Sequence, residues 1–120
     1  MRKKICVLED NKDIREVIEM FFLSEDYEVL CFSTVGELLA NKNSLRPDVF
    51  LLDVMLPDGN GIDVCRKLSC LKATASIPVL MMSATADLKQ ISANCPAVGF
   101  VAKPFDLSSM LNAVNLAVKA

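Results

Sequence analysis

Short, continuous apolar runs that alternate with helical patterns constrain the fold of this chain more than any other feature of its sequence. Four runs, Ile5–Leu8, Val49–Val54, Val79–Met82 and Phe100–Ala102, show no regular alternation of apolar and polar residues. Such runs are typical of strands in a parallel sheet that helices cover on both faces. A fifth run, Tyr27–Phe32, alternates in part and is predicted to be a strand near the sheet edge.

Amphipathic helical patterns fill the intervals between these runs. The predicted helices cover Asn11–Leu23, Thr34–Asn41, Asn60–Leu71 and Asp106–Lys119. The predicted apolar stripe of the first helix consists of Ile14, Val17, Ile18, Phe21 and Phe22. Strand and helix alternate without an internal repeat, a low-complexity tract or a linker. This order predicts right-handed crossovers and an open, doubly wound parallel α/β sheet, in one domain over residues 1–120.

Composition argues against several classes of function. The 120 residues carry a formal net charge of −2, whereas a nucleic-acid surface needs a basic excess, so we expect no nucleic-acid binding by this domain. The chain has no histidine and its five cysteines form no C-x-x-C pair, which argues against zinc sites and histidine-assisted nucleophiles. Free thiols fit a reducing compartment. No apolar run approaches the roughly 20 residues of a membrane span, so we expect a cytoplasmic domain without a membrane partner.

Polar side chains follow four of the predicted strands, at the point where each strand ends. Glu9 and Asp10 follow the first strand, Asp53 ends the third, Ser83 the fourth and Lys103 the fifth. Because working sites of such sheets lie beyond the carboxyl ends of the strands, we expect these side chains to converge. Asp10 is equally well explained as a helix cap. Asp53 lies in apolar sequence, where a carboxylate is costly unless it is paired or bound to a metal.

Three carboxylates brought together repel one another, and a divalent cation resolves that repulsion. An all-oxygen site suits Mg²⁺, which uses few carboxylates and keeps several waters. With a lysine and a hydroxyl beside it, such a site favours phosphoryl transfer, since metal and ammonium neutralise charge on the transferring group. An aspartate is already ionised at neutral pH and needs no general base to act as the nucleophile.

Four motifs, in order along the whole chain, carry a family resemblance: ICVLEDN, VFLLDVMLPDGNGIDVCRKL, IPVLMMSA and GFVAKPF. With them the sequence resembles the receiver domain of response regulators in bacterial two-component phosphorelay signalling. The resemblance implies a flavodoxin-like, five-stranded sheet of order 2-1-3-4-5 with five flanking helices. It also implies that Asp53 accepts the phosphoryl group and that Glu9 and Asp10 position Mg²⁺.

The same resemblance implies roles for four further residues. The main-chain carbonyl of Met55 would be a further ligand of Mg²⁺, beside the carboxylate of Asp53. Lys103, across a cis peptide to Pro104, would contact the acyl phosphate, and Ser83 would donate its hydroxyl to the phosphoryl group. Phe100 would be the switch aromatic that moves inward when Ser83 moves.

Three positions depart from the family's usual pattern. Glu9 stands where aspartate is more common, although both residues occur there. Met55 is apolar where many relatives carry a polar side chain, and we expect it to shield the acyl phosphate and lengthen its lifetime. Pro96 stands near the place where relatives have glycine, and proline cannot adopt the left-handed conformation. We therefore expect the fourth helical segment, between Ser83 and the fifth strand, to be short or irregular and to end by Asn94.

The implied partners follow from the implied chemistry. A histidine kinase or phosphotransfer protein would donate the phosphoryl group from a phosphohistidine. The domain would catalyse only its own phosphorylation and dephosphorylation and would not be a turnover enzyme. The added charge would switch the face formed by the fourth helical segment, the fifth strand and the last helix, toward an output domain or a protein partner. Self-association as a homodimer stays open.

Three alternatives belong to other functional classes. A flavin carrier would need a phosphate cradle after the first strand, where Glu9 and Asp10 would instead repel a bare phosphate. Phosphatases with an aspartyl-phosphate intermediate usually carry a second acid two residues after the nucleophile, where this chain has Met55. A receiver-like interaction module that works without phosphorylation is the third alternative, against which Asp53, Ser83 and Lys103 argue.

Overall fold

Seven strands and four helices lie within residues 2–84 and 96–119, the part of the chain that this computed structural model describes. The strands are β1 (Lys3–Leu8), β2 (Tyr27–Phe32), β3 (Val49–Asp53), β4 (Met55–Leu56), β5 (Gly59–Asn60), β6 (Val79–Ser83) and β7 (Gly99–Ala102). The helices are α1 (Lys12–Ser24), α2 (Val35–Ala40), α3 (Gly61–Cys70) and α4 (Leu107–Lys119).

The five long strands form one parallel sheet in the order β2-β1-β3-β6-β7. The predicted doubly wound architecture and strand order are thereby confirmed. The carboxyl ends of β1, β3, β6 and β7 lie along one edge of the sheet, because parallel neighbours share their direction. That edge is where the sequence places its polar residues.

Side chains of the central strands alternate between two apolar layers. Cys6 and Leu8 of β1 pack with α2 and α3, whereas Ile5 and Val7 pack with α1 and α4. Both faces of the sheet are therefore covered, which explains why the central strands read as continuous apolar runs.

The helix α1 differs from its prediction in two details. Val17 belongs to the predicted apolar stripe, but its side chain is exposed; within that stripe Ile18 and Phe22 are the fully buried residues. The N-cap is Asn11, whose Oδ1 accepts the Ile14 N–H at 3.0 Å, so capping does not account for Asp10. An asparagine oxygen satisfies a first-turn N–H group, which the helix cannot pair internally.

A connecting segment precedes α3. It contains a short antiparallel hairpin in which Met55 pairs with Asn60 and Leu56 with Gly59. The fourth helical segment, which we expect between Ser83 and the fifth strand and to end by Asn94, falls mainly on residues 85–95, which lie outside the described residues. Among the helices that the structure describes, none has the length and apolarity needed to cross a bilayer.

Candidate functional site

The site begins where β1 ends and the chain turns into α1. Glu9 is completely buried, and its main-chain N–H donates to the Phe32 carbonyl of β2 at 3.0 Å. Its carboxylate is held at both oxygens: Oε1 accepts from Lys103 Nζ at 2.6 Å, and Oε2 accepts the Asn11 N–H at 3.1 Å. A buried acid needs such partners, because losing water without replacing its hydrogen bonds is costly.

Asp53 is the last residue of β3 and is buried as well. Its Oδ2 accepts a hydrogen bond from Lys103 Nζ at 3.0 Å. The strand continues its pairing one residue further, since the Val54 N–H donates to the Met82 carbonyl at 3.0 Å. The main chain on both sides of the carboxylate is thus fixed by the sheet.

Gly61, the first residue of α3, lies directly against the main chain of Asp53. Its N–H donates to the Val54 carbonyl at 2.8 Å. A Cβ atom at this position would lie 1.9 Å from the Asp53 carbonyl oxygen, which is far inside van der Waals contact. Only glycine therefore allows α3 to begin this close to the end of β3.

Three carboxylates converge beside this point. Glu9, Asp10 and Asp53 each offer one oxygen, and these three oxygens lie within 4.8 Å of one another. Asp10 is exposed, whereas the other two are buried, so the cluster opens to solvent on the side of Asp10. Hard oxygen donors at this separation fit a cation such as Mg²⁺, which takes few carboxylates and completes its shell with water.

Lys103 supplies the positive charge of the site. Its main-chain N–H donates to the Ser83 carbonyl at 2.8 Å, and the peptide to Pro104 is cis, as the family resemblance implies. Burial by itself lowers the pKa of Lys103, but the hydrogen bonds and negative charges of Glu9 and Asp53 outweigh burial and raise that pKa above its ordinary value. The side chain is therefore an ammonium that bridges two buried carboxylates.

The remaining predicted residues lie around this centre. Ser83 is buried at the end of β6, beside the loop that carries Lys103. The Met55 side chain is exposed in the β4–β5 hairpin, so its main-chain carbonyl, not its sulfur, is the group to consider as a ligand. Phe100 on β7 is partly buried and packs against the layer formed with α2 and α3.

Two residues near the site were not singled out from the sequence. Arg15 Nη1 on α1 donates to the main-chain carbonyls of Glu9 at 2.9 Å and Asp10 at 3.3 Å. Asp58 in the β4–β5 hairpin accepts the main-chain N–H groups of Val35 at 2.9 Å and Gly36 at 3.0 Å.

The hydrogen bonds from Val35 and Gly36 lower the pKa of Asp58 below its ordinary value. No sequence signal distinguishes either residue, because an arginine on the polar face of a helix and an acid in a turn are ordinary features of a sequence.

The chain is thus a doubly wound parallel α/β protein. Its polar site, made of carboxylates and a lysine, lies at the carboxyl ends of the strands. A family model described as the response regulator receiver domain matches residues 5–115. The chain therefore belongs to the response regulator receiver domain family of two-component systems, which confirms the resemblance seen in its motifs.

Known proteins are similar to this chain in sequence and in structure. The DNA-binding response regulator MtrA of Mycolicibacterium smegmatis is 34% identical over 107 residues, which cover 88% of this chain and 46% of that protein. The chain thus spans about half the length of the curated relatives it matches. A CheY-like receiver domain protein from Methanospirillum hungatei superposes with a TM-score of 0.90 at 25% identity, covering 99% of this chain and 95% of that one.

A third similar protein is the receiver domain of a sensor histidine kinase from Pseudomonas aeruginosa. It superposes with a TM-score of 0.89 at 23% identity, with full coverage of both chains. That structure has a magnesium ion coordinated in its active-site cleft. At this identity the likeness shows the fold alone.

Proposed function

We propose that this chain accepts a phosphoryl group on Asp53, in a reaction that depends on Mg²⁺. The observation that carries the proposal is the bridge of Lys103 Nζ between Glu9 Oε1 at 2.6 Å and Asp53 Oδ2 at 3.0 Å. A partly buried ammonium beside a buried carboxylate is arranged to neutralise charge that arrives on the carboxylate. Phosphoryl transfer is the reaction that delivers such charge.

Mg²⁺ would be held by the carboxylates of Glu9, Asp10 and Asp53 and by the main-chain carbonyl of Met55, directly or through water. The fit rests on the chain's own donors, since three carboxylate oxygens lie within 4.8 Å of one another. When bound, the metal neutralises charge on the donor and acceptor oxygens.

A carboxylate oxygen of Asp53 forms the new O–P bond, while the N–P bond of a partner's phosphohistidine breaks and its electron pair returns to the imidazole. The product is an acyl phosphate, a mixed anhydride that water later hydrolyses. Lys103 pairs with the phosphoryl oxygens, and the Ser83 hydroxyl donates to another of them. The domain promotes only its own phosphorylation and hydrolysis, so it is not a turnover enzyme.

The signal is a change in position of Ser83 and Phe100. When Ser83 moves toward the phosphoryl group, Phe100 on β7 turns inward. The same movement is transmitted to Lys103, because its main-chain N–H donates to the Ser83 carbonyl at 2.8 Å. A preference of a few kcal/mol for the active arrangement is enough to shift the population of the β7–α4 face.

The partners are proposed from the family and from the relatives' length. The phosphodonor is a histidine kinase or a phosphotransfer protein, and all 120 residues form the receiver domain. Since the chain covers 46% of a DNA-binding relative, the downstream partner is an output domain or a separate protein. Within the part of the chain that the structure describes, Cys6, Cys31 and Cys70 form no disulfide, which fits a cytoplasmic location.

Incubation with acetyl phosphate and Mg²⁺, followed by intact mass spectrometry, tests the proposal. Wild type gains one phosphoryl group, and Asp53→Asn gains none. Chelation of the metal suppresses the gain in wild type. A gain in both proteins would place the acceptor elsewhere, and a gain in neither would favour an interaction module that works without phosphorylation.

Met55 offers a separate test of the site. Its exposed side chain cannot position a water by hydrogen bonding, so we expect Met55→Asn to shorten the lifetime of the acyl phosphate by several-fold, about 1 kcal/mol in barrier. The decay of the phosphorylated protein is followed by mass spectrometry after removal of the donor. An unchanged decay rate would remove Met55 as a shield.

A further inference from the structure

Arg15 is the one cation that the described residues show bonded to the main chain of the acidic pair. Its Nη1 reaches back from the second turn of α1 and donates to the Glu9 carbonyl at 2.9 Å and the Asp10 carbonyl at 3.3 Å. One guanidinium nitrogen thus joins two consecutive carbonyl oxygens between the end of β1 and the start of α1.

The other polar groups of Glu9 are held by different elements. Its N–H bonds to the Phe32 carbonyl of β2, and its carboxylate bonds to Asn11 and Lys103. Asp10 differs, because its side chain is exposed and the Arg15 bond to its carbonyl is long. The peptide groups at Glu9 and Asp10 set the direction in which the two carboxylates project, and Arg15 holds both carbonyls.

From these contacts we infer that Arg15 is a positioning residue, which keeps the carboxylates of Glu9 and Asp10 oriented for the cation at the site. The inference deepens the proposed function and rests on it, since it requires that the acidic cluster binds Mg²⁺. Arg15 itself contacts main-chain oxygens and not the metal ligands' carboxylates.

A purely electrostatic role for Arg15 predicts the opposite result. The guanidinium is a positive charge near a cation site, so its removal alone would strengthen Mg²⁺ binding. Loss of positioning weakens binding instead. The sign of the change in affinity therefore separates the two roles.

Two substitutions exploit this difference. Arg15→Gln removes the charge and the contact, whereas Arg15→Lys keeps the charge but replaces the planar donor by an ammonium on a flexible stem. Arginine, lysine and glutamine have similar helix propensities, so neither substitution should disturb α1. Lys12→Gln is the matched control, since it removes a positive charge from the same end of α1, where Lys12 forms an exposed ion pair with Glu16 at 4.0 Å.

The experiment is titration of each 120-residue protein with MgCl₂ by isothermal calorimetry, with thermal unfolding in chelator measured alongside. We expect Arg15→Gln and Arg15→Lys to bind Mg²⁺ about tenfold more weakly, the lower end for lost outer-shell partners. Lys12→Gln binds as wild type or slightly more tightly. Melting temperatures in chelator stay close to wild type, which a general structural defect would not allow.

Salt adds an independent readout. The Debye length falls from about 10 Å at 0.1 M to about 3 Å at 1 M ionic strength, so an effect of charge alone disappears at high salt. The positioning effect persists there. Mg²⁺ affinity in Arg15→Gln equal to or above that of wild type, or a loss confined to low salt, overturns the role of Arg15 while leaving the proposed function intact. Absence of Mg²⁺ binding by wild type overturns both.

Discussion

Ion pairs at the two ends of the sheet differ in burial more than in chemistry. At the amino ends of the strands, Lys4 Nζ lies 3.9 Å from Glu28 Oε2, and the side chains are 38% and 54% exposed. At the carboxyl ends, Lys103 Nζ lies 2.6 Å from Glu9 Oε1, and the side chains are 15% and 1% exposed. Both pairs join a lysine to a glutamate.

The comparison separates stability from function. An exposed pair contributes little, because water and salt screen it and two long side chains lose freedom to form it. A buried pair loses hydration that its attraction only partly replaces, yet removing one partner leaves an uncompensated charge. Stability alone gives the chain no reason to place the partly buried Lys103 between the buried carboxylates of Glu9 and Asp53, an arrangement that agrees with the chemistry proposed for the site.

Lys103→Met should produce the largest effect. Methionine replaces the stem but not the charge, and it leaves Glu9 and Asp53 buried without their ammonium. We expect the free energy of unfolding to fall by about 3 kcal/mol, measured by urea denaturation in chelator at pH 7. Loss below about 1 kcal/mol, the range of surface pairs, would mean that the two ends of the sheet are energetically equivalent.

Mg²⁺ that binds at the carboxyl ends of the strands should stabilise the folded protein. A ligand that binds only the folded state at ten times its Kd adds about 1.4 kcal/mol to the free energy of unfolding. The matched variant is Asp10→Asn, because Asp10 is exposed and its replacement leaves the buried Glu9–Lys103 pair intact. The variant should need more Mg²⁺ for the same gain. An equal response in wild type and Asp10→Asn would show that the metal acts elsewhere.

Cys6 lies in β1, between the two ends of the sheet. It tests how burial affects an ionisable group without an opposite charge beside it. Burial, with a smaller contribution from Cys31, raises the pKa of the Cys6 thiol from 9.0 to about 12. As the pH rises, the Cys6 thiol loses its proton in the unfolded chain at a lower pH than in the folded protein. The contribution of Cys6 to the free energy of unfolding is therefore complete below about pH 9 and decreases as the pH rises toward 12. At pH 9.5 the loss from Cys6 is about 0.8 kcal/mol relative to pH 7.

Chemical denaturation of wild type and Cys6→Ala at both pH values isolates that contribution. The advantage of wild type over the variant should shrink by the predicted amount at pH 9.5, whatever the cost of the cavity. A constant difference would contradict the prediction.

Lys4→Met should produce the smallest effect. The Lys4–Glu28 pair is long and solvated, so we expect its loss to change the free energy of unfolding by no more than about 0.5 kcal/mol. The same urea measurement as for Lys103→Met gives a direct ratio between the two ends. A loss of unfolding free energy similar to that of Lys103→Met would show that the ion pairs at the two ends of the sheet do not differ in strength.

Sequence patterns predict the sheet well, since its central strands are buried on both faces. The run that contains Val49–Asp53 is continuous for this reason, and the meeting of Glu9, Asp53 and Lys103 follows from parallel strand direction alone. The exposure of Val17 is not predictable in the same way, because helical spacing indicates a stripe but not how far the neighbouring layer extends over it.

The contacts of Arg15 and Asp58 also escape prediction from sequence. Each depends on where particular main-chain carbonyl or N–H groups point after the chain has turned. A guanidinium on the polar face of a helix has many accessible partners, and only the folded turn at Glu9 and Asp10 selects between them. Residue type and spacing do not indicate which of these partners the side chain contacts.

The close approach of Gly61 to Asp53 has a consequence for protein engineering. A Cβ at position 61 would meet the Asp53 carbonyl oxygen at 1.9 Å, so the direction of the Asp53 carboxylate depends on the spacing between two segments of main chain. Grafting the three acids and the lysine onto another parallel sheet would not reproduce that spacing. A working transplant would have to carry the glycine and the first turn of its helix as well.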